Sequence, residues 1–404
     1  MVDLGVVMPV YKQKPEFLEA AIQSIRTQTW NDFRFIIVID GAPEMEPLVR
    51  AAVAGDPRAE VISYADNRGV AQALNTGFEL LLEDPSIAYL TWVSSDNLYR
   101  PAFLETLRAA LHQGPEQLGV AYSSFQSIDD AGRPLYAERQ LALQRKYQAQ
   151  PKELLLDSSL IGVSFMYKSC YAKLIDGYGL EPVEDYDYWL RLTEHCDIRY
   201  IPEELIDYRV DSAFSISASL KSQEKHRKWR YAYHLARHLA RTRREIALEV
   251  TLLLTVKADN EGALQALENL YEQTYSNYKC CVLDLSPDQQ ATERLSAVSH
   301  PVTTFTALPN HDEISALVQA VATVQTPYVM AIGPKLFYSP SDLQVMVNGM
   351  RKAGDAAVSN YFHNHREQNL SYRYPGMLGT KPDIYNELFH TSALIELLKP
   401  FRIR

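Results

Sequence analysis

A few acidic residues stand where chemistry is easiest to place. Asp96 ends the apolar run in "YLTWVSSDNLYRP", Asp40 closes "FRFIIVID", and Glu184 and Asp185 stand side by side in "GYGLEPVEDYDYWLRL". A carboxylate at the tip of a buried strand is a hard oxygen donor of the kind Mg²⁺ or Mn²⁺ takes. Ser, Asp and Asn also make plain turns, so "SDN" admits both readings. If "DYDYWLRL" opens a helix, Asp185 lies in its first turn, where the macrodipole favours the ionised form that a general base needs. Glu184 and Asp185 read equally as ordinary helix-opening residues, and Asp187 competes for the role of base.

The elements that must position these groups follow from hydrophobic patterning. "LGVVMPVY", "FRFIIVIDGA", "AEVISYA" and "IAYLTWV" are continuously apolar, and helical segments separate them. In "PEFLEAAIQSIRTQTW" the residues Phe17, Leu18, Ala21, Ile22 and Ile25 recur at helical spacing. Helical patterns from Glu46 to Ala54 and in "VAQALNTGFELLLED" follow. Continuous apolar strands alternating with helices predict a parallel sheet covered on both faces. Such sheets bind ligands at the carboxyl ends of their strands, which puts Tyr11, Asp40 and Asp96 on one rim. Asn67, Arg68 and Gly69 precede a helix, where free backbone N–H donors suit an anionic group.

The chain has 404 residues, 47% hydrophobic and 22% charged, which is an ordinary globular composition with room for two or three domains. Its net charge of −10 excludes broad nucleic-acid binding, so a phosphate-bearing ligand must be held locally. Cys170, Cys196, Cys280 and Cys281 fit neither a disulfide framework nor a zinc site, which points to a reducing compartment, by default the cytoplasm. No signal peptide is read at the start, and the apolar run from Leu248 to Val256 is too short to span a bilayer.

"VVMPVYKQKPEFLEAAIQSIRTQTWNDFRFIIVIDGA", "DNRGVAQALNTG", "SSDNLYRP", "EDYDYWLRL" and "YRV", in this order over roughly residues 4–215, resemble a family 2 glycosyltransferase of the GT-A fold. The resemblance implies a Rossmann-like, mostly parallel sheet flanked by helices and an inverting transfer from a nucleotide diphosphate sugar, most simply a UDP-sugar. Such a reaction passes through an oxocarbenium-like state while a diphosphate leaves, and a divalent cation, Mn²⁺ or Mg²⁺, can neutralise that charge. By the same resemblance Asp96 anchors the metal. Asp40 takes a hydrogen bond from the base, Tyr11 stacks on it, and Pro9, Asn67, Arg68 and Ser95 complete the donor-nucleotide set. Asp185 is the base that deprotonates the acceptor, with Glu184 beside it on the acceptor or donor sugar. Asp211, in "YRVDSAFS", stands where the family often has a histidine near the metal and offers a second carboxylate.

The chain also departs from the pattern. Ser94, Ser95, Asp96 and Asn97 replace the usual two or three acids, which implies weaker metal binding without nucleotide. Ile39 replaces an acidic neighbour of Asp40, and Leu74 replaces an arginine before Asn75. Tyr188 and Trp189 read either as an apolar platform for a sugar or as core. Ser123 to Asp157 reads as a mobile flap on the acceptor side.

Beyond residue 215 the chain turns basic. "LKSQEKHRKWRYAYHLARHLARTRRE" reads as a long helix, either lying on an anionic membrane or packing an aromatic stripe and linking two domains. After it comes an internal repeat. "LYEQTYSNYKCCVLDLS" echoes "IRTQTWNDFRFIIVIDGA", with Gln273 and Thr274 on Gln28 and Thr29 and Tyr278 on Phe33. "TPYVMAIGPKLFYSP" falls on "IAYLTWVSSDNLYRP", with Tyr338 on Tyr99 and Pro340 on Pro101. Within these matched stretches, the first extended back without gaps, Tyr11 meets Val256, Asp96 meets Lys335, and Asp284 stands one residue early for Asp40. This predicts a catalytic domain over residues 1–218, a basic helical linker over 219–245 and a truncated, non-catalytic α/β copy over 246–404, with no counterpart of Asp185. The expected partners are the nucleotide-sugar donor and a glycan, lipid-linked or protein acceptor; peripheral contact with the inner membrane surface and homodimer formation are further expectations. A sugar-binding scaffold without catalysis is the rival reading. A nucleotidyltransferase fits less well, because "MPVYKQKPEF" has no glycine-rich phosphate loop.

Overall fold

A strand buried along its length must lie inside its sheet, and β1 (Leu4–Val10) is buried at every residue except half-buried Pro9. The structure is a computed structural model and describes residues 2–210, 220–257, 261–309, 311–333, 336–353, 358–364, 367–373 and 384–401. It divides into two units, Met1–Ala236 and Arg237–Arg404.

In the first unit, β1 lies among β2 (Phe33–Asp40), β3 (Ala59–Tyr64), β4 (Tyr89–Trp92), β5 (Leu98–Tyr99), β6 (Leu118–Ile128), β7 (Phe165–Lys168) and β8 (Asp197–Arg209). Their order across the sheet is β3-β2-β1-β4-β7-β6-β8-β5. β3, β2, β1 and β4 pair in parallel, as do β6 and β8. Only β7 and β5 run against their neighbours, so the sheet is the mostly parallel one expected. Helix α1 (Pro15–Arg26) buries Phe17, Leu18, Ala21, Ile22 and Ile25, the stripe read from the sequence. The helices α2 (Glu46–Ala52), α3 (Val70–Leu82), α4 (Phe103–His112), α5 (Glu138–Gln148), α6 (Ser169–Ala172) and α7 (Glu184–Leu192) complete the unit. The segment expected to be a flap holds the C-terminal part of β6, then α5 and a short 3₁₀ turn at Lys152–Leu156.

The basic segment is one helix, α8 (Gln223–Arg243), and the division between the units falls within it. In the first unit Trp229 stacks on Tyr233 at 4.8 Å between ring centres, and Tyr233 stacks on Tyr186 at 4.4 Å. In the second unit Arg241 donates to Ser276 Oγ at 2.9 Å. Arg230, Arg237 and Arg241 are all buried, so the membrane-surface reading of this helix loses much of its basic face. Among the described residues no helix is long and apolar enough to cross a membrane.

The second unit is built on β9 (Val250–Val256), β10 (Tyr278–Asp284), β11 (Thr303–Ala307), β12 (Tyr328–Ile332), β13 (Val358–Asn364), β14 (Glu367–Arg373) and β15 (Leu388–His390). Its order, β11-β10-β9-β12-β15-β13-β14, follows the first sheet strand for strand through the position of β6. The hydrogen bonds repeat with it. Gln28 receives Leu104 N–H at 2.9 Å and donates to Arg100 O at 2.9 Å; Gln273 receives Leu343 N–H at 3.0 Å and donates to Ser339 O at 3.0 Å. Ser169 Oγ donates to Ile87 O and Thr391 Oγ1 to Thr326 O, each at 2.7 Å. The last pair carries the copy further along the first unit than sequence matching did.

Pairing register corrects one equivalence. Val10 pairs with Ile39, and Val256 pairs with Asp284. The counterpart of Tyr11 is therefore Lys257, not Val256, because the first strand of the repeat is displaced by one residue. Asp284 occupies the position of Ile39, and Leu285 that of Asp40. Lys335 lies outside the described residues.

Gln28 is 2% exposed, so removing its amide strands buried backbone groups. We expect Gln28→Leu to lower stability by about 2 kcal/mol, read from the urea midpoint of the N-terminal transition, with Gln273→Leu acting likewise on the second unit.

Candidate active site

The candidate site grows from the carboxyl ends of three neighbouring strands, β2, β1 and β4. Asp40, the last residue of β2, is 3% exposed. Its carboxylate accepts the N–H of Arg68 at 2.7 Å and of Gly69 at 3.0 Å, while Asn67 Nδ2 donates to Asp40 O at 3.1 Å. Gly69 is the N-cap of α3 and has no side chain to cap it, so the next donor is met from afar: Glu181 Oε1 accepts Ala71 N–H at 3.0 Å. Gly69 has φ of 93°, and a Cβ there would come within 2.5 Å of Glu181 Oε1. The expectation of free N–H donors at this loop is thus corrected, because Asp40 and Glu181 already occupy Arg68, Gly69 and Ala71.

The side chain of Arg68 lies over the Tyr64 ring, 4.4 Å from its centre. Tyr64 pairs with Asp40 at the strand ends, and its buried hydroxyl has no hydrogen-bond partner. Tyr11 stands at the exit of β1 with 43% exposure, open on the rim, and Pro9 is half-buried just before it.

Asp96 and Ser95 are half-buried in the loop after β4. That loop is held by its own tyrosine and by a distant arginine. Tyr99 Oη accepts Ser94 N–H at 2.7 Å. Arg209, 4% exposed at the end of β8, donates its backbone N–H to Asn97 Oδ1 at 3.0 Å and its Nε to Asp96 O at 3.1 Å. The same guanidinium donates to Asp129 O at 2.7 Å and Asp130 O at 2.9 Å and lies 3.9 Å from the centre of the Phe17 ring. Arg209 stands in "YRV", yet nothing local marks it as the residue that shapes a loop 113 positions earlier. Glu181 was missed for the same reason.

Glu184 and Asp185 open α7 as the pattern predicts. Their ionisation runs opposite to the expectation from the helix dipole. Glu184 is 4% exposed, its Oε2 has no hydrogen-bond partner, and burial followed by the charge of Asp185 pushes its pKa up to about 8. Burial also raises Asp185, partly offset by Tyr186 N–H, which donates to Asp185 Oδ1 at 2.6 Å. Desolvation outweighs the dipole here because the first turn is covered by protein. Asp187 is paired with Arg191 at 2.9 Å, one helical turn on. Trp189 is fully buried against Phe165 and Tyr167, and Tyr188 stacks on Tyr178 at 4.0 Å, so both belong to the core and not to a sugar platform.

Among the described residues no group of three or more His, Cys, Asp or Glu side chains could hold a metal. Asp211 lies outside the described residues. A single rim carboxylate at Asp96 fits a hard cation whose remaining ligands come from phosphate oxygens and water.

Residues 5–170 match the family model described as Glycosyl transferase family 2. An uncharacterized glycosyltransferase of Rickettsia typhi is 25% identical over 229 residues, covering 55% of this chain and 69% of that protein. One from Methanocaldococcus jannaschii is 24% identical over 235 residues, covering 57% of this chain and 79% of its own length. Among solved structures, residues 1–349 of Staphylococcus aureus TarS in complex with UDP align with a TM-score of 0.43 at 14% identity, over 58% of this chain and 65% of that one. The mannosyltransferase PcManGT of Pyrobaculum calidifontis, in complex with GDP-Man and Mn²⁺, aligns with a TM-score of 0.42 at 15% identity, over 60% and 64%.

The raised pKa of Glu184 has a definite sign for stability. The folded protein holds this proton up to about pH 8, whereas the unfolded chain releases it near the ordinary carboxylate value. The stability tied to Glu184 is therefore fully present below the unfolded pKa and is lost as pH rises through the folded one. Thermal melts of Glu184→Gln and wild type are expected to diverge in the variant's favour as pH rises from about 5 to about 9.

Proposed function

We propose, from the match of residues 5–170 to the model described as Glycosyl transferase family 2, that the first unit is an inverting, metal-dependent transferase that moves a sugar from a nucleotide diphosphate, most simply UDP, to an acceptor hydroxyl. The observation that carries this reading is the Glu184–Asp185 pair at the start of α7. Burial raises both carboxyls, so Asp185 is a stronger base than a solvated aspartate, and Glu184 stays protonated beside it at neutral pH.

Asp185 takes the proton of the acceptor hydroxyl as its oxygen attacks the anomeric carbon from the face opposite the leaving group. The bond from that carbon to the diphosphate oxygen breaks, and the nucleoside diphosphate departs with the electron pair. Glu184, carrying its proton, can donate to a sugar oxygen and does not compete for the acceptor's proton. Asp40 holds the Asn67–Gly69 loop, with its remaining lone pairs available to a base N–H, while Tyr11 offers a ring face and Pro9, Arg68 and Ser95 border the same rim. Mn²⁺ or Mg²⁺ bound at Asp96, with Asp211 as second carboxylate, would stabilise the charge on the departing diphosphate. The second unit has Lys257 and Leu285 in place of Tyr11 and Asp40, which supports a non-catalytic role for it.

Titration calorimetry with UDP and then GDP, each with and without Mn²⁺, tests the donor site. Wild type is expected to bind UDP in a metal-dependent way that Asp96→Ala loses. Asp185→Asn should keep donor binding while transfer falls by about 10²–10⁴-fold. Full transfer by Asp185→Asn removes it as the base, and the lack of nucleotide binding under every condition replaces the transferase reading with a glycan-binding scaffold.

A further inference from the structure

Helix α5 is built inside out. A surface helix ordinarily turns its apolar stripe inward and its polar residues to water. In α5 the inward groups are glutamines: Gln144 Nε2 donates to Phe125 O at 2.9 Å, and one turn on Gln148, 2% exposed, donates to Ser123 O at 3.2 Å and accepts from Ser124 Oγ at 2.9 Å. The outward groups include Leu143, 63% exposed, and Tyr147, 45% exposed. With Leu135, Tyr136 and Leu154, this short stretch holds five of the twelve exposed large apolar side chains found among the described residues. A groove of about 300 Å³ runs along it between Leu143, Tyr147, Leu154 and Leu160, with Lys146 on its edge. Clustered apolar exposure of this kind marks a surface that something covers.

Charge says what covers it. In a chain of net charge −10, the segment Leu135–Leu154 carries Arg139, Arg145, Lys146 and Lys152 against Glu138 and Glu153, with Arg133 just before it. Arg133, Arg145 and Lys152 are paired with acidic side chains, while Arg139 and Lys146 make no ion pair among the described residues. Every residue from 130 to 140 is exposed, so this basic, apolar segment can meet a broad surface without rearrangement of the core. Leucine and tyrosine side chains between free cations suit the boundary between headgroups and acyl chains of an anionic membrane.

We propose that α5 and its flanks, Leu135–Leu154, dock the protein on an anionic lipid surface. The basic helix α8, where the sequence first suggests membrane contact, buries Arg230, Arg237 and Arg241, whereas α5 presents both charge and apolar area outward. The segment starts at the turn whose carbonyls, Asp129 O and Asp130 O, are held by Arg209, the residue that also holds Asp96 O. Docking would place the candidate site near the bilayer, where a lipid-linked acceptor sits; that last step rests on the transferase reading, and the lipid contact itself does not.

The test is co-sedimentation of the full chain with vesicles of phosphatidylglycerol mixed with phosphatidylcholine, compared with phosphatidylcholine alone. Wild type is expected to bind the anionic vesicles and to release as salt rises. Arg139→Gln with Lys146→Gln should weaken binding roughly 25-fold, at about fivefold per cation. Leu143→Ser, at a side chain 63% exposed, should weaken it while leaving the melting temperature and UDP titration unchanged. No binding to anionic vesicles, equal binding by wild type and both variants, or a concentration-dependent dimer that Leu143→Ser dissolves would each overturn the proposal.

Discussion

The rim of the first sheet depends on one buried cation. Arg209 brings a guanidinium to the end of β8 at 4% exposure, where an unsolvated charge costs several kcal/mol unless its donors are met. They are met by the carbonyls of Asp96, Asp129 and Asp130 and by the face of Phe17. Because an arginine fork has fixed geometry, meeting it fixes three separate chain segments relative to one another. The loop that presents Asp96 is therefore shaped by the end of β8, 113 residues later in the chain, and not by its own short sequence alone.

The carboxylates of the unit divide into two kinds of work. Asp40 and Glu181 spend oxygens on backbone N–H groups at the start of α3, which ties the β2 exit to the α3 entry and to the segment leading into α7. Glu184 and Asp185 lie in a drier environment with few donors, and there the same functional group is pushed toward its neutral form. Environment, not residue type, separates an acid spent on backbone donors from one pushed toward its neutral form.

The two units show which parts of such a fold are common to both. The glutamine after the first helix, and the hydroxyl that ties the end of the fifth strand in sheet order to the entry of β4 or β12, are kept with nearly equal bond lengths. The rim residues are not kept, and a lysine and a leucine stand in for Tyr11 and Asp40. Buried backbone groups must be satisfied in either unit, whereas a rim side chain that satisfies no buried group is free to differ.

Much of this was legible in the chain alone, for local reasons. Continuous apolar strands, the Phe17–Ile25 stripe and the opening of α7 are periodic patterns, and periodicity survives folding unchanged. The repeat was legible because Gln273 with Thr274, and Tyr338 with Pro340, keep the local spacing of Gln28 with Thr29 and Tyr99 with Pro101. What only the tertiary structure decided were quantities that depend on distant partners. These are the one-residue displacement that puts Lys257 opposite Tyr11, the capture of α3's free N–H groups by Asp40 and Glu181, and the inversion of α5. To them belong the grip of Arg209 on a loop 113 residues away and the victory of desolvation over the helix dipole at Glu184 and Asp185. A sequence states which groups exist, but hydrogen-bond partners and dielectric environment are set by whatever the folded chain brings beside them.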